Sequence, residues 1–350
     1  MFFTQKQGLG MIEVKTDQPL RAYNTFGLDA RAERFCKVSS EAELAEVLRR
    51  ADLYRHGLHV LGAGSNVLLA GDLSGLTLAV AIPGIEVVSE SEGDCRIRVG
   101  AGVGWHDLVS WSVARGLSGL EALALIPGSA GAAPVQNVGA YGSEAADVLE
   151  SVEGLSIPGG DAIRFSRAEC RLGYRDSVFK RELAKKIIIS RVTLRLKKHG
   201  PVPMTHRALS DELAAAGISS PTVKDVFEAV VRIRKRKLPD PAVLGNAGSF
   251  FKNPVISSDQ ARKLTGEEPK LPAYPEKDGR VKVPAGWLIE RAGFLGARRG
   301  RCGVYEKNAL VIVNLGGATA GEILALASEI QDRVRALFGV ALEREVVVLP

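Results

Sequence analysis

The sequence has few of the features that mark a metal-binding or disulfide-stabilised protein. Its cysteines are scattered and no two form a CxxC pair: Cys36, Cys95, Cys170 and Cys302. The histidines also lack the spacing of metal ligands. These absences argue against a metal site and a disulfide framework, and they favour a reducing compartment.

Long hydrophobic runs are missing as well. The first residues, MFFTQKQGLGM, lack the apolar stretch of a signal peptide, and no later segment offers roughly 18 unbroken apolar residues. We therefore expect a cytoplasmic protein that has no membrane partner.

The composition is that of a globular protein. The chain has 350 residues, of which 46% are hydrophobic and 25% charged, enough for two or three compact domains. A net charge of +6 favours anionic partners. Charge alone does not distinguish phosphates and nucleotides from nucleic acids or membrane surfaces.

The basic run RIRKRK, residues 232–237, has two interpretations. It could be a nucleic-acid patch, or the solvated end of an amphipathic helix whose dipole the cations complement. No aromatic residues interleave with the run, so the helix end is favoured and no nucleic-acid partner is expected.

The N-terminal part alternates helix and strand signals. Ser40 and Glu43 form a capping box for a helix that Gly57 ends, and strands are predicted over 58–61, 67–70 and 76–82. The loop GAGSN, residues 62–66, therefore lies between strands.

Later segments continue the mixed pattern. Strands are predicted over 85–89, 95–101 and 187–196, with a helix over 105–115 between them. Two helices are predicted nearer the C-terminus. Ser220 caps the first, with Pro221 at its first position, and the second starts with a capping box of Thr319 and Glu322 and stops at Gly339.

GAGSN is neither a Walker loop nor a complete dinucleotide fingerprint, since it lacks GK(S/T), a third glycine and a following helix. Its backbone N–H groups, the Ser65 hydroxyl and the Asn66 amide are nevertheless able to donate to a phosphate. The alternative is a plain turn between strands.

A second glycine-rich segment strengthens the phosphate interpretation. Residues 125–142, LIPGSAGAAPVQNVGAYG, suit neither a helix nor an ordinary strand, so we expect a ligand to pack against their backbone. Together the two segments are typical of surfaces that hold a long diphosphate cofactor.

Candidate reactive groups lie in three further places. Arg175, between Tyr174 and Asp176, could clamp a substrate carboxylate, or could form a surface salt bridge with Asp176. Ser249, between glycines and two phenylalanines, is a candidate proton donor, or part of an ordinary tight turn. Glu345 lies in an apolar strand, although periodicity does not distinguish it from Glu343.

Eight motifs in order resemble the UDP-N-acetylenolpyruvoylglucosamine reductases of bacterial peptidoglycan synthesis, in the form with an extra loop before the substrate domain. They are NTFGLDA (24–30), LGAGSNVLL (61–69), LIPGSAGAAPVQNVGAYG (125–142), CRLGYRDSVFK (170–180), KLPDP (237–241), GNAGSFFKNP (245–254), AGWLIERAG (285–293) and LEREV (342–346).

The resemblance implies an α+β fold in which a two-part, vanillyl-alcohol-oxidase-like (PCMH-type) FAD-binding domain precedes a C-terminal substrate domain. We expect the two FAD-binding subdomains over residues 1–84 and 85–218 and the substrate domain over 219–350, with the last strand packing back on the FAD domain. A monomer is expected.

It also implies a reaction in two halves. NADPH reduces non-covalently bound FAD and leaves; UDP-N-acetylglucosamine enolpyruvate then enters the same cleft, accepts hydride from flavin N5 at C3, and becomes UDP-N-acetylmuramate. Arg175 and Glu345 match the residues that stabilise the enolate-like charge, with Glu345 protonated or sharing a proton. Ser249 matches the proton donor to C2.

The binding residues follow from the same resemblance. The implied FAD contacts are Gly62, Gly64, Ser65, Asn66, Pro127, Gly128, Ser129, Gln136, Asn137, Gly139, Tyr141 and Gly142. The implied substrate contacts are Tyr174, Lys237, Asn253 and Asn308.

One position departs from the family pattern. Where a tyrosine closes over the diphosphate in members with the extra loop, the segment PMTHRAL presents His206. We therefore expect His206, or the adjacent Arg207, to meet the phosphates.

Two rival functions are open. One is a flavoprotein of the same fold acting on another substrate, which the segments around Ser249 and Glu345 argue against. The other is a nucleotide-sugar or nucleic-acid binder without catalysis, which would need neither the second glycine-rich segment nor a shielded hydroxyl.

Overall fold

The computed structural model describes residues 12–199 and 206–350. The signal-peptide analysis of residues 1–11 and the start of the PMTHRAL segment lie outside the described residues. The described helices are α1 (Glu41–Arg49), α2 (Trp105–Val113), α3 (Arg207–Ala215), α4 (Val223–Lys237), α5 (Ser258–Glu267), α6 (Ala285–Arg291) and α7 (Ala320–Phe338).

Strands make up most of the remaining regular structure, together with a few short 3-10 helices. They are β1 (Val14–Pro19), β2 (Arg31–Val38), β3 (Leu58–Leu61), β4 (Val67–Leu69), β5 (Leu73–Val80), β6 (Ile85–Glu90), β7 (Asp94–Gly100), β8 (Gly139–Ala140), β9 (Ser143–Glu144), β10 (Leu149–Ser156), β11 (Ala162–Ser166), β12 (Ile187–Lys197), β13 (Asn246–Ser249), β14 (Val255–Ile256), β15 (Tyr274–Pro275), β16 (Val281–Lys282), β17 (Arg298–Arg299), β18 (Cys302–Val304), β19 (Val311–Asn314) and β20 (Val347–Leu349). Parallel and antiparallel sheets occur together with helices, which confirms the α+β class.

The chain divides into two compact units. The first comprises the described residues of Met1–Pro19, Arg31–Gly64 and Leu73–Arg234, and the second comprises Leu20–Ala30, Ser65–Asp72 and Lys235–Pro350. The finer division at residues 84 and 218 stays a prediction. No described helix is both long and apolar enough to cross a membrane.

Besides the two-stranded sheet β8-β9, the described part of the first unit contains two larger sheets. One has the order β1-β2-β5-β3, with β2 and β3 parallel to β5, and the other has the antiparallel order β11-β10-β12-β7-β6. Leu44 and Leu48 of α1 share a core with Leu78 of the first sheet and with Leu155 and Ile188 of the second. Helix α1 thus joins the two sheets.

A separate core of the first unit positions the second glycine-rich segment. Apolar side chains of α2, α3 and α4 pack with the second sheet and with Ala130 and Ala133 of that segment. The segment is therefore fixed by buried neighbours, although it forms no helix and contributes only the short strand β8.

The second unit is built on the antiparallel sheet β13-β19-β18-β17. Helices α6 and α7 and the phenylalanines Phe250 and Phe251 bury their apolar faces in its core. Burying a side chain of this size contributes about 1.5–3 kcal/mol. Strand β20 pairs in parallel with β4 in the same unit.

The predicted ends of α7 are confirmed, whereas the predicted capping box of α1 is only half formed. Thr319 and Glu322 form the expected capping box of α7, and Gly339 ends it with φ +64°. The Ser40 hydroxyl caps α1, but the Glu43 carboxylate accepts from the Ser39 N–H and does not close a reciprocal box.

The predicted start of helix α4 is wrong by two residues. Helix α4 begins at Val223, and its cap is Thr222, whose hydroxyl accepts from the N–H of Asp225 while the Asp225 carboxylate accepts from the N–H of Thr222. This reciprocal pair supersedes Ser220 as cap and Pro221 as first position.

Candidate active site

In the first unit, the start of the GAGSN loop contacts the second glycine-rich segment. A Cβ atom at Gly62 would lie 2.6 Å from the Ser129 hydroxyl oxygen, so only glycine fits without displacing that serine. Gly64 and Gly128 have φ values of +64° and +133°, which favour glycine. Two bare backbone surfaces thus lie side by side, as a cofactor cradle requires.

The second segment is held against the start of α2. The N–H of Trp105, the first residue of α2, donates to the carbonyl of Gly128 over 3.0 Å. Farther along the segment, the N–H of Ala130 donates to the carbonyl of Val103 over 2.8 Å, and the N–H of Gly131 donates to the carbonyl of Ala101 over 2.9 Å. These bonds fix the backbone around the predicted cofactor residues Pro127, Gly128 and Ser129.

Asn137 is the internal anchor of this segment. Its buried side-chain amide donates to the Glu144 carboxylate at 2.7 Å and to the Gly173 carbonyl at 3.1 Å, and its oxygen accepts from the Ala146 N–H at 2.9 Å. Its φ is +45°, which asparagine tolerates better than most residues. The Asn137 side chain is therefore structural.

The bond to Gly173 connects this segment to the turn that carries Arg175. Gly173 and Asp176 exchange two backbone hydrogen bonds, so Tyr174 and Arg175 form the apex of a tight hairpin. Arg175 has φ +53° and is half-buried. A non-glycine residue in this conformation is often part of a functional site.

The Arg175 guanidinium reaches the second glycine-rich segment. One terminal nitrogen donates to the Gly139 carbonyl at 2.8 Å and the other to the Asn137 carbonyl at 3.4 Å, while the guanidinium carbon lies 5.4 Å from the centre of the Tyr174 ring. These contacts orient the guanidinium fork, whose planar geometry suits an anion.

Asp176 is engaged elsewhere. It forms an ion pair and a side-chain hydrogen bond with Arg181, and this contact holds the pKa of the Asp176 carboxyl below its ordinary value. The alternative of an Arg175–Asp176 surface pair is therefore wrong.

Arg234 was missed by the sequence analysis, which treated residues 232–237 as a solvated helix end. Arg232, Lys235, Arg236 and Lys237 are exposed, but Arg234 is half-buried: its Nε is buried, and one terminal nitrogen donates to the Leu125 carbonyl at 3.2 Å. It directly follows the buried Ile233 of α4. The only signal in the sequence was this position beside the apolar face.

In the second unit, Ser249 ends β13 opposite Val311 of β19. The N–H of the preceding Gly248, with φ +69°, donates to the side-chain oxygen of Asn246 at 2.9 Å. Ser249 is half-buried, and the following Phe250 is fully buried with its ring packed edge to face against Phe251.

The NTFGLDA motif supports this strand. The Thr25 hydroxyl donates to the Asn246 carbonyl at 2.6 Å, and a Cβ atom at Gly245 would lie 2.3 Å from the Phe26 carbonyl oxygen. The Phe26 and Phe250 rings meet edge to face with centroids 6.3 Å apart. A motif far away in the sequence thus fixes the backbone under Ser249.

A backbone hydrogen bond links Glu345 to Phe250, the residue that follows Ser249. The N–H of Glu345 donates to the carbonyl of Phe250 at 2.9 Å, and the Asn66 amide donates to the carbonyl of Glu345 at 3.2 Å. Glu345 precedes β20, so the expectation that it lies within a strand is wrong. It is half-buried, whereas Glu343 is exposed and pairs with Lys252, a difference that periodicity did not reveal.

The predicted substrate contacts are distributed over both units. Tyr174 and His206 belong to the first, and Lys237, Asn253 and Asn308 to the second. His206 precedes α3 and meets the ring of Tyr141 edge to face, with centroids 5.2 Å apart. Asn253 accepts from the N–H of Ala285 at the start of α6, at 2.9 Å.

Most of the remaining predicted contacts lie on loops, whereas Gly139 is in β8 and Lys237 in α4. Gln136, Gly139, Tyr141 and Gly142 continue the second glycine-rich segment in the first unit, and Ser65 and Asn66 precede β4 in the second. Asn308 accepts from the N–H of Leu310 at 3.0 Å, and Lys237 is the exposed last residue of α4. Of the catalytic candidates, Arg175 belongs to the first unit, and Ser249 and Glu345 to the second.

Two family models match the chain. One, described as an FAD binding domain, matches residues 32–166, and the other, described as the C-terminal domain of UDP-N-acetylenolpyruvoylglucosamine reductase, matches residues 240–349. The first spans both glycine-rich segments, and the second contains Ser249 and Glu345. The expected FAD-binding domain followed by a C-terminal domain is confirmed.

Relatives match nearly the whole chain. The UDP-N-acetylenolpyruvoylglucosamine reductase of Paraburkholderia phymatum is 48% identical over 95% of this chain and 97% of its own length, and that of Pseudomonas aeruginosa is 46% identical over 95% and 98%. The crystal structure of the corresponding reductase from Thermus caldophilus is similar with a TM-score of 0.65 and 28% identity, over 97% of this chain and 99% of that one.

Proposed function

Because this chain belongs to the UDP-N-acetylenolpyruvoylglucosamine reductase family, which are FAD-dependent oxidoreductases, we propose that it reduces UDP-N-acetylglucosamine enolpyruvate to UDP-N-acetylmuramate for peptidoglycan synthesis. NADPH is the proposed reductant, and it leaves before the substrate binds. The observation that carries the proposal is the backbone bond that holds Glu345 beside the Ser249 strand.

The residues present suit FAD. The close approach of Gly62 to Ser129 and the left-handed conformations of Gly64 and Gly128 are typical of backbone that packs against a diphosphate. The proposed cofactor contacts of the first unit are Gly62, Gly64 and the 125–142 segment, and those of the second unit are Ser65 and Asn66. The chemistry that FAD supplies when bound is hydride transfer, from NADPH and then through N5 to C3 of the enolpyruvyl group.

Ser249 is the proposed proton donor to C2. A serine hydroxyl is a weak acid, but an enolate is basic enough to take its proton when the two are within hydrogen-bond distance. The backbone bonds of Gly248 and Phe250 on either side of Ser249 fix its position.

Arg175 and Glu345 are proposed to stabilise the negative charge that develops next to the substrate carboxylate. Arg175 is preoriented by the carbonyls of Asn137 and Gly139, so little reorganisation is needed when the charge appears. Glu345 fulfils this role if its carboxyl group holds or shares a proton, because an ionised carboxylate would repel the enolate.

Recognition of the nucleotide sugar is assigned to Tyr174, Lys237, Asn253, Asn308 and His206. Lys237 offers an exposed ammonium for the diphosphate. His206, or Arg207, replaces the tyrosine of other members. We also propose that the protein acts as a monomer in the cytoplasm.

Product analysis tests the proposal. Purified protein is incubated with UDP-N-acetylglucosamine enolpyruvate and NADPH, and the products are identified by mass spectrometry. We expect UDP-N-acetylmuramate in amounts equal to the NADPH oxidised, and none from protein depleted of FAD. NADPH oxidation without this product would contradict the proposed substrate.

A further inference from the structure

Both ends of the second glycine-rich segment have unusual backbone conformations. Leu125 at its start and Tyr141 near its end have φ values of +55° and +52°. Bulky residues rarely adopt this left-handed region, and they remain there only where neighbouring groups hold them. Something must therefore fix each end.

Arg234 of α4 bonds to both ends. One terminal nitrogen donates to the Leu125 carbonyl at 3.2 Å, and the guanidinium also shares a side-chain hydrogen bond with Tyr141. The N–H of Leu125 donates in turn to Nδ1 of His106, at 3.1 Å. One guanidinium thus spans the segment from end to end.

The same guanidinium retains unused binding capacity. Its Nε is buried and has no hydrogen-bond partner in the described part of the chain, and no carboxylate there forms an ion pair with it. Burial lowers the pKa of Arg234, an effect that Tyr141 opposes, but an arginine stays charged in a protein. A buried cation with an unused donor is unfavourable unless a bound group complements it.

We propose that Arg234 is a further determinant of FAD binding: it holds both ends of the segment 125–142 and gives its remaining N–H and positive charge to an electron-rich or anionic group of the cofactor. This inference rests on the assignment of that segment to FAD binding. The role of Arg234 is separate from those of Arg175, Ser249 and Glu345.

The test is the affinity of the apoprotein for FAD, measured by titration with flavin fluorescence as the signal. Arg234→Met should weaken binding by about 10- to 100-fold, because bonds to a charged donor are lost. Arg234→Lys, which keeps the charge but is unable to span both ends, should be intermediate. Urea unfolding of each apoprotein shows that the protein titrated is folded.

A double-mutant cycle separates this role from general stability. Tyr141→Phe removes one of the two ties and should weaken FAD binding less than Arg234→Met does, and the double variant should bind no more weakly than Arg234→Met alone. Arg232→Met is the matched control, because Arg232 lies on the exposed side of α4 and pairs with Glu212. It should bind FAD as the wild type does.

Gly62→Ala distinguishes the two possible failures, because its added Cβ would collide with Ser129. If Gly62→Ala loses FAD affinity and Arg234→Met, while folded, stays within about 3-fold of wild type, the inference about Arg234 is overturned and the cofactor site stands. If both variants bind FAD as wild type does, the site assignment fails and the inference fails with it.

Discussion

The backbone N–H of Glu345 donates to the carbonyl oxygen of Phe250 over 2.9 Å, although the two residues are far apart in the sequence. Phe250 directly follows Ser249, so this bond fixes the backbone of two proposed catalytic residues relative to each other. The Asn66 amide bonds the Glu345 carbonyl and so fixes the segment from its other side.

Ser249→Ala should separate the two half-reactions. Reduction of the flavin by NADPH is expected to proceed at the wild-type rate, because the serine takes no part in it. Reoxidation by UDP-N-acetylglucosamine enolpyruvate should slow by about 10²- to 10⁴-fold, the usual contribution of a positioned proton donor. Stopped-flow absorbance measures both rates.

The control for that variant is Ser74→Ala, an exposed serine of β5 that should leave both rates unchanged. Fast reoxidation of reduced Ser249→Ala by the substrate would remove Ser249 from the mechanism.

Asn137→Ala should destabilise the protein by about 2–4 kcal/mol, measured by urea unfolding. The estimate combines three lost hydrogen bonds with the cost of alanine in a left-handed conformation. Asn137→Asp should be more harmful at pH 7 than at pH 4.5, because its carboxylate would face that of Glu144. An unfolding free energy of Asn137→Ala within about 0.5 kcal/mol of wild type would contradict the anchoring role.

Stability should depend on pH through Glu322. The Thr319 N–H and the Arg301 guanidinium lower the pKa of this carboxyl from 4.5 to about 2. The ionised form therefore stabilises the folded state above pH 4.5, and this contribution is lost as the pH falls towards about 2. The Tm difference between wild type and Glu322→Gln should be larger at pH 6 than at pH 3.

Glu92→Gln, in the exposed turn between β6 and β7, controls for the change of charge. A Tm difference for Glu322→Gln that stayed constant between pH 6 and pH 3 would count against the capping interaction as its cause.

Local signals predicted local structure well. The extent of α7 follows from Thr319, Glu322 and Gly339, whose roles depend only on neighbours in the helix. The start of α4 was mistaken because Ser220, Pro221 and Thr222 all offer plausible first residues. The reciprocal bonds between Thr222 and Asp225 select Thr222 as the cap. The sequence analysis did not consider this pair.

Contacts between residues far apart in the chain could not be predicted from the sequence. Nothing in NTFGLDA shows that Thr25 bonds to the carbonyl of Asn246. The run RIRKRK gives no sign that Arg234 is the one basic residue of the run withdrawn from the surface, because that depends on how α4 packs against the 125–142 segment. Roles for Ser249 and Arg175 were assigned by resemblance, since periodicity carries no information on chemistry.

The most direct test of the central claim is the visible spectrum of the purified protein, recorded anaerobically before and after NADPH and then after UDP-N-acetylglucosamine enolpyruvate. We predict a flavin spectrum that NADPH bleaches and that the enolpyruvate restores. Bleaching without recovery would contradict the proposed substrate, and a protein that binds no flavin would contradict the account as a whole.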